Sequence, residues 1–274
     1  MKVSILITNY NYAKYLKDCI ESCLNQSYHN FEIILFDDQS TDNSMEIALR
    51  YTKNIKIIND KNAKKSPYVS YNQNNGLYQA FLASDGDIIC LLDSDDTFAP
   101  DKLEKIVKIF KAKKETVMVE NSGYYTNKFG EITDYFKCYK PMNFIDLYRK
   151  RNHTNFHMPT SFLSFRRSYL EQVFQIFLVE KYPFVYADNR LSSIAPFYGT
   201  VECTFEPLTY YRIHGENETV INPNGIYGLM HHQNYVNDFL EMTNRKKLKT
   251  YKSKLILKQC FKAYVSKLKN FFKN

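Results

Sequence analysis

Short apolar runs alternate with segments of helical periodicity over the first 120 residues of the chain. Four runs of strand length lie at 3–8, 31–36, 55–58 and 87–92. Between and after them, apolar side chains recur every three or four residues, as at Leu103, Ile106 and Phe110, which predicts a helix after each strand. Because the connections are short, we predict an α/β fold with a mostly parallel central sheet and helices on both of its faces.

The pattern becomes less regular and more aromatic after residue 120. No Gly-, Ser- or Pro-rich linker separates 121–224 from 1–120, so we expect a smaller mixed α/β part that packs on the first within one compact domain. Residues 226–242 have helical spacing, and 225–274 are predicted to form a helical extension. The predicted organisation is therefore 1–120, 121–224 and 225–274.

The net charge of +8 is concentrated at the C-terminal end of the chain. Residues 245–274 contain eleven Lys or Arg and no Asp or Glu, whereas the other 244 residues contain 26 basic and 29 acidic side chains. A uniformly basic nucleic-acid-binding protein does not have this distribution, so we predict no nucleic-acid partner. The 44% hydrophobic composition, with eight Gly and eight Pro, is typical of a globular chain.

The basic segment has the spacing of an amphipathic helix. Its apolar residues, including Leu257, Phe261 and Leu268, recur at three- and four-residue steps, and lysines occupy most of the other positions. Such a helix suits an anionic membrane surface. The alternative is a helix that packs on its own domain or on a second subunit, so an oligomer through the C-terminal helices stays open.

The cysteines and the first residues of the chain predict the compartment. Six cysteines are scattered along the sequence, and the opening apolar run is too short for the core of a signal peptide. We therefore expect a cytoplasmic protein with free thiols, peripheral on the inner face of the plasma membrane if the basic helix binds it. Cys19 and Cys23 are four residues apart, which suits half of a metal site or, more commonly, a buried helix face.

Polar and acidic residues follow three of the predicted strands. These are Thr8, Asn9 and Tyr10, then Asp37 and Asp38, then Asp93, Ser94, Asp95 and Asp96. Ligands of parallel sheets bind beyond the carboxyl ends of the strands. Three carboxylates within four residues repel one another, and a divalent cation such as Mg²⁺ or Mn²⁺ relieves this repulsion while bridging to phosphate oxygens. The alternative is an acidic loop that caps the following helix, for which Asp96 alone suffices.

Three separate motifs resemble glycosyltransferase family 2, which comprises inverting enzymes of the GT-A fold. They are VSILITNYN at 3–11, DDQSTDNS at 37–44 and GDIICLLDSDD at 86–96, in the order and spacing of that family. The resemblance implies transfer of a sugar from a nucleotide-sugar, with UDP as the expected nucleotide. It also implies a saccharide or lipid-linked saccharide acceptor, as in bacterial surface polysaccharide synthesis.

The resemblance also assigns the donor-site roles. Thr8 and Tyr10 would line the pocket for the nucleotide base, and Asp38 would accept a hydrogen bond from the base. Asp93 and Ser94 would lie near the ribose and the diphosphate. Asp95, the second Asp of the Asp-X-Asp motif, would bind Mn²⁺ or Mg²⁺.

Two later segments resemble the family's catalytic-base and metal-completing segments. Asp188 falls at the position of the base, with Ala187 where the family usually has Glu; its alternative role is a helix N-cap. His214, in the run YYRIHGEN, would complete the metal site. Arg212 in the same run would meet the diphosphate or form a salt bridge.

The chain departs from the family pattern at two places. Gln39 stands where Gly is frequent, and we expect it to keep a negative φ. Residues 72–76 read NQNNG, without the family's usual Arg-containing pattern, so no donor contact is assigned there. The alternative functions are a nucleotidyltransferase, or a non-catalytic scaffold that binds nucleotide-sugars and docks on membranes.

Overall fold

The first half of the chain alternates strand and helix, as its sequence predicts. The computed structural model describes residues 1–59, 65–138, 158–177, 181–182, 184–217 and 225–245. The elements up to residue 112 are β1 (Val3–Asn9), α1 (Ala13–Leu24), β2 (Phe31–Asp37), α2 (Ser44–Leu49), β3 (Lys56–Ile58), α3 (Val69–Leu82), β4 (Ile88–Asp93), β5 (Thr97–Phe98) and α4 (Lys102–Ala112).

The second half contributes long strands and shorter helices. Its described elements are β6 (Thr116–Thr126), β7 (Ile132–Phe136), a 3₁₀ turn (Thr160–Phe162), β8 (Leu163–Arg166), α5 (Arg167–Phe177), α6 (Ala187–Ile194), a 3₁₀ turn (Ala195–Phe197), β9 (Thr200–Arg212) and α7 (Gly225–Met242). The predicted helix at 226–242 is thereby confirmed. The predicted basic helix lies outside the described residues, apart from Arg245.

One continuous sheet joins the two halves. Its strand order is β3-β2-β1-β4-β8-β6-β9-β5, and β7 pairs with β6. Strands β1 to β4 are mutually parallel, as predicted, while β8 runs antiparallel to both β4 and β6. Because β8 lies between β4 and β6, the acidic end of β4 is held against the second half of the chain.

Helices cover both faces of the sheet, as predicted. On one face, α1 and α4 bury Leu16, Ile20, Ile106 and Phe110 against the first strands. On the other face, α3, α5, α6 and α7 pack in a single apolar cluster. Helix α3 approaches β2 closely at Gly76, where a Cβ would lie only 2.7 Å from the Phe36 ring. Among the described residues, no helix has the length and apolar character needed to cross a membrane.

The cysteines correct part of the sequence interpretation. Cys138 and Cys203 form a disulfide, although all six cysteines were expected as free thiols. The pair is 65 residues apart and meets only because the chain returns beside β9 after β7, so the spacing along the sequence gives no sign of it. Cys19, Cys23 and Cys90 are free and buried. The first two lie on the buried face of α1, in agreement with the favoured interpretation.

Candidate active site

The carboxyl ends of β1, β2 and β4 meet at one edge of the sheet. Thr8 of β1 is in register with Asp93 of β4, and Asn9 is in register with Asp37 of β2. The Thr8 hydroxyl donates to Asp93 Oδ1 at 3.5 Å. The residues that the sequence placed at this edge therefore lie side by side.

Asp37 fixes the turn that carries Asp38. Its carboxylate accepts hydrogen bonds from the Ser40 amide at 2.9 Å and the Ser40 hydroxyl at 2.7 Å, and from the side-chain amides of Asn9 at 2.8 Å and Asn59 at 2.9 Å. Within this turn, Gln39 adopts φ of +58°, so the expectation of a negative φ is wrong. The hydrogen bonds that Asp37 accepts from Ser40, Asn9 and Asn59 hold the turn in place. Their stabilisation outweighs the conformational cost of a non-glycine residue with positive φ.

Asp38 lies beside two residues that form one small cluster. The Lys65 ammonium is 3.4 Å from Asp38 Oδ2 and lies over the Tyr10 ring, 3.6 Å from its centroid. Burial raises the pKa of Asp38, and Lys65 opposes this effect. Tyr10 and Asp38 thus lie together, as the resemblance implies. Lys65 was missed, because a lysine in an irregular segment gives no sequence signal.

Asp93 is held by groups from three other elements. Gln73 of α3 donates to Asp93 Oδ1 at 3.0 Å, and the Asp93 amide donates to the Ser161 hydroxyl at 3.0 Å. Burial first, and then the charges of Asp95 and Asp188, raise the pKa of Asp93 to about 7. The Gln73 contact lies in the NQNNG run, where the sequence assigned no donor-site residue.

Asp95 pairs with His214, the two residues expected at the metal. His214 Nε2 is 3.0 Å from Asp95 Oδ2, and the side-chain amide of Asn217 donates to the same oxygen at 3.2 Å. The His214 side chain is fully buried, with its ring 4.6 Å from that of Tyr15 and 5.5 Å from that of Tyr12. These packed aromatic rings fix the orientation of the imidazole.

The protonation of His214 follows from its hydrogen bonds. Nδ1 accepts from the Glu216 amide at 3.3 Å, so in this arrangement the proton is on Nε2, which donates to Asp95.

The Asp95 and His214 pair fits half of a divalent cation site. In octahedral coordination with bonds of about 2.1 Å, neighbouring ligand atoms are about 3 Å apart, as are the two side-chain atoms here. Within the part of the chain that the structure describes, no three His, Cys, Asp or Glu side chains form a complete metal-binding cluster. The carboxylate suits Mg²⁺ or Mn²⁺, whereas the imidazole nitrogen suits a transition-metal ion, so the pair fits Mn²⁺ better than Mg²⁺, with waters and substrate phosphate oxygens as the other ligands.

Arg212 connects β9 to the acidic loop at 93–96. Its amide donates to Asp96 Oδ1 at 2.8 Å and its Nε donates to the Asp95 carbonyl at 2.9 Å, while Nη2 is 3.2 Å from Asp18 Oδ2. The guanidinium carbon also lies 4.8 Å from the centroid of Tyr15. Of the two roles that the sequence left open for Arg212, the structure contains the salt bridge.

Ser94 and Asp96 point away from solvent. The Ser94 side chain is buried, and its hydroxyl has no hydrogen-bond partner among the described residues. Burial and the neighbouring carboxylates raise the pKa of Asp96 well above its usual range. Asp96 does not take the capping role considered for it, because the N-cap position of α4 belongs to Asp101, whose side chain makes no capping hydrogen bond.

Asp188 lies in the first turn of α6, near Asp93. The N-cap residue of α6 is Tyr186, so the alternative role of Asp188 as N-cap is wrong. The charge of Asp188 contributes to the raised pKa of Asp93. Helix α3 spans the gap between them: Gln73 binds Asp93, and the side chain of Asn74, next along the helix, donates to the Val185 carbonyl at 3.2 Å, just before α6.

A family model decides the assignment of the chain. Residues 4–174 match the model of Glycosyl transferase family 2, which is more than half of the sequence. The chain belongs to glycosyltransferase family 2. An uncharacterized glycosyltransferase of Nostoc sp., alr2836, is 32% identical over 253 residues, which is 88% of this chain and 76% of that protein.

Solved structures show the same fold at low sequence identity. Staphylococcus aureus TarS 1–349 in complex with UDP has a TM-score of 0.58 and 17% identity, and the match covers 88% of this chain and 71% of that one. The mannosyltransferase PcManGT of Pyrobaculum calidifontis, in complex with GDP-Man and Mn²⁺, has a TM-score of 0.60 and 16% identity, with coverages of 86% and 64%. With the family match, this makes the chain a glycosyltransferase of GT-A type fold. The assignment argues against both alternatives, the nucleotidyltransferase and the non-catalytic scaffold.

Proposed function

We propose that this glycosyltransferase uses a divalent cation and inverts the configuration of a sugar that it transfers from a UDP-linked donor to a saccharide or lipid-linked saccharide. The observation that carries the proposal is the meeting of three groups at one sheet edge. These groups are the Asp38 cluster, the Asp95 and His214 pair, and Asp188 beside Asp93. An inverting transfer needs a base pocket, a site for the diphosphate, and a base for the acceptor hydroxyl.

The base pocket is assigned to Thr8, Tyr10 and Asp38, with Lys65 added from the structure. Asp38 offers a hydrogen-bond acceptor and Lys65 a donor, 3.4 Å apart, and the Lys65 ammonium lies over the ring of Tyr10. Uracil presents an N–H next to a carbonyl and matches this pair. Guanine has the same arrangement, and the two related structures contain UDP and GDP-Man respectively.

The diphosphate is assigned to the acidic loop. Asp93 and Ser94 would lie nearest the ribose and diphosphate, and Asp95 and His214 would hold Mn²⁺ or Mg²⁺. The cation, when bound, supplies the positive charge that stabilises the departing diphosphate. Arg212 and Asn217 fix Asp95, so that its carboxylate keeps its orientation while the donor enters.

Asp188 is assigned as the general base. It would take the proton from the acceptor hydroxyl on the face of the sugar opposite the leaving diphosphate. It lies in the first turn of α6, and a helix N-terminus attracts negative charge. The Asn189 amide at 2.7 Å and the Asn189 side chain at 3.0 Å both donate to Asp188 Oδ1 and orient the group.

Replacement of the proposed metal ligand is the most direct test. Asp95→Ala should abolish cation-dependent hydrolysis or transfer of the donor, because one of two protein ligands is removed. The measurement is release of UDP from UDP-sugars with Mn²⁺, preceded by a thermal-shift screen of UDP- and GDP-linked sugars. The control is Asp134→Asn, an exposed carboxylate on β7. Full activity of Asp95→Ala would contradict the proposed cation site.

Residues 245–274 are proposed to bind an anionic membrane surface, where lipid-linked acceptors are found. The full chain should sediment with anionic vesicles and be released by salt, because each lysine near such a surface contributes about 1 kcal/mol. Replacing Lys254, Lys258 and Lys262 together by Gln should reduce the sedimented fraction. Replacing Lys14, Lys17 and Lys53 by Gln is the charge-matched control. Equal sedimentation of both variants would contradict a role of the basic segment.

A further inference from the structure

Lys102 is a fully buried lysine at the start of α4. Its side chain has no solvent exposure, and among the described residues its Nζ donates to a carbonyl and a hydroxyl rather than to a carboxylate. Burial lowers the pKa of Lys102 to about 7. A buried amine at a helix N-terminus is unfavourable both for its desolvation and for the helix dipole, so its contacts must supply a compensating stabilisation.

The amine of Lys102 binds two other elements directly. Nζ donates to the Ser161 carbonyl at 2.7 Å and to the Thr209 hydroxyl at 2.9 Å, and it lies 3.8 Å from the centroid of Phe98. The Thr209 hydroxyl in turn donates to the Ser161 carbonyl at 3.1 Å. Lys102 thus joins α4 to the 3₁₀ turn at 160–162 and to β9.

Both elements that Lys102 joins also hold the acidic loop. The Ser161 hydroxyl accepts from the Asp93 amide, on the N-terminal side of the loop. Three residues after Thr209 on β9, Arg212 donates to the Asp95 carbonyl and to Asp96 Oδ1. Two of the attachments of the loop thus come from these elements, and Lys102 bridges both of them to α4 beside the direct bond from Thr209 to the Ser161 carbonyl.

We propose that Lys102 is a positioning residue of the donor site, which sets the spacing of the acidic loop by tying the 160–162 turn to β9 behind it. The proposal rests on the proposed function of the loop as the site of the cation and diphosphate. Without Lys102, the turn and β9 would keep the direct bond from Thr209 to the Ser161 carbonyl but lose the amine that bridges both to α4, so the loop carboxylates would be held less rigidly against their mutual repulsion. The residue touches neither donor nor cation.

Binding of UDP with Mn²⁺ to the full chain tests whether Lys102 supports the donor site. Lys102→Met keeps the apolar stem and removes the amine, and it should weaken this binding by at least about tenfold, the usual effect of removing a group that supports metal ligands. Two controls lie on the same helix. Lys108→Met removes an exposed lysine, and Val107→Ala destabilises the core beneath α4; both should bind within about twofold of the unaltered chain. Tight binding by Lys102→Met, or equal weakening by a Val107→Ala variant of the same melting temperature, would overturn the proposal.

Amide hydrogen exchange without ligand separates this proposal from the proposed function. Lys102→Met should accelerate exchange in 93–96 and 160–162 beyond any acceleration in Val107→Ala, since the Asp93 amide bond depends on Ser161. Unchanged exchange there would overturn the positioning role. Accelerated exchange in a chain that binds no nucleotide would support the role of Lys102 and contradict the function assigned to the loop.

Thr209→Val is the second variant, for the case that Lys102→Met does not fold. It keeps the shape of the side chain and removes the hydroxyl that accepts from Lys102 and Asn121 and donates to the Ser161 carbonyl, so it breaks the junction from the β9 side. Weaker UDP binding with faster exchange at 93–96 supports the proposal, and unchanged values of both overturn it. When both variants fold, their effects should be non-additive, because they break the same connection.

Discussion

At the scale of single residues, the site depends on carboxylates kept in different environments. Asp37 accepts four hydrogen bonds and holds a turn, whereas the pKa of Asp93 rises to about 7 through burial and neighbouring charges. Asp188 lies at a helix N-terminus with two donors from Asn189. Side chains of one type thus lie in different environments, which their positions relative to the strands and helices determine.

Asp188→Asn tests the proposed base at this scale. Transfer should fall by at least about 10²-fold, because an amide cannot take a proton, while UDP-sugar binding with Mn²⁺ should stay near its original value. The measurements are initial rates of transfer and calorimetric titration of the donor on one preparation. Asn189→Ala, which removes one donor to Asp188, should reduce the rate much less. A variant Asp188→Asn that transfers at the original rate would exclude this residue as the base.

At the scale of elements, three helices position the site. The first turn of α4 places Lys102 behind the acidic loop, α3 carries Gln73 to Asp93 and Asn74 to the Val185 carbonyl, and α6 carries Asp188 in its first turn. Close packing of α3 on β2 at Gly76 keeps these contacts in register. The helices packed on the sheet therefore fix the positions of the polar side chains at its edge.

Lys102, at the start of α4, makes the free energy of unfolding depend on pH. Burial lowers the pKa of Lys102 from its ordinary value of 10.5 to about 7 in the folded chain. The charges of Cys90, Cys23 and Asp96 oppose this effect. Between these values the unfolded chain binds the extra proton, so the contribution of Lys102 to the free energy of unfolding rises with pH from about 7 to 10.5 and is constant below 7, where both states are protonated. The difference between the unaltered chain and Lys102→Met in urea unfolding should therefore grow from pH 7 to pH 9. A constant difference, like that expected for Lys108→Met, would contradict the lowered pKa.

At the scale of the whole molecule, one sheet combines the two halves of the chain. Strand β8 pairs with both β4 and β6, and β9 pairs with β6 and β5, so residues more than a hundred positions apart meet at one edge. Asp95 and His214 are such a pair. The disulfide between Cys138 and Cys203 adds a covalent link within the second half.

Reduction of the disulfide should lower the stability of the whole domain. Closing a loop with a sequence separation of 65 is worth about 4 kcal/mol in the unfolded-state entropy model, with smaller values common in practice. The measurement is the unfolding free energy with and without reductant. The variant with both Cys138→Ser and Cys203→Ser should be less stable and insensitive to reductant. Equal stability of the oxidised and reduced chains would contradict a stabilising disulfide.

The sequence by itself determined the alternation of strands and helices, the parallel first half and the acidic strand ends. These features depend on side-chain spacing and on residues adjacent in the chain, such as those at 93–96, which any fold must keep together. It missed Lys65, Gln73, Asn217 and the role of Lys102, and it was wrong about Gln39, Cys138 and Cys203. Each of these depends on a partner far along the chain or on a local backbone held by such partners. Only the tertiary structure brings those partners within hydrogen-bonding or bonding distance.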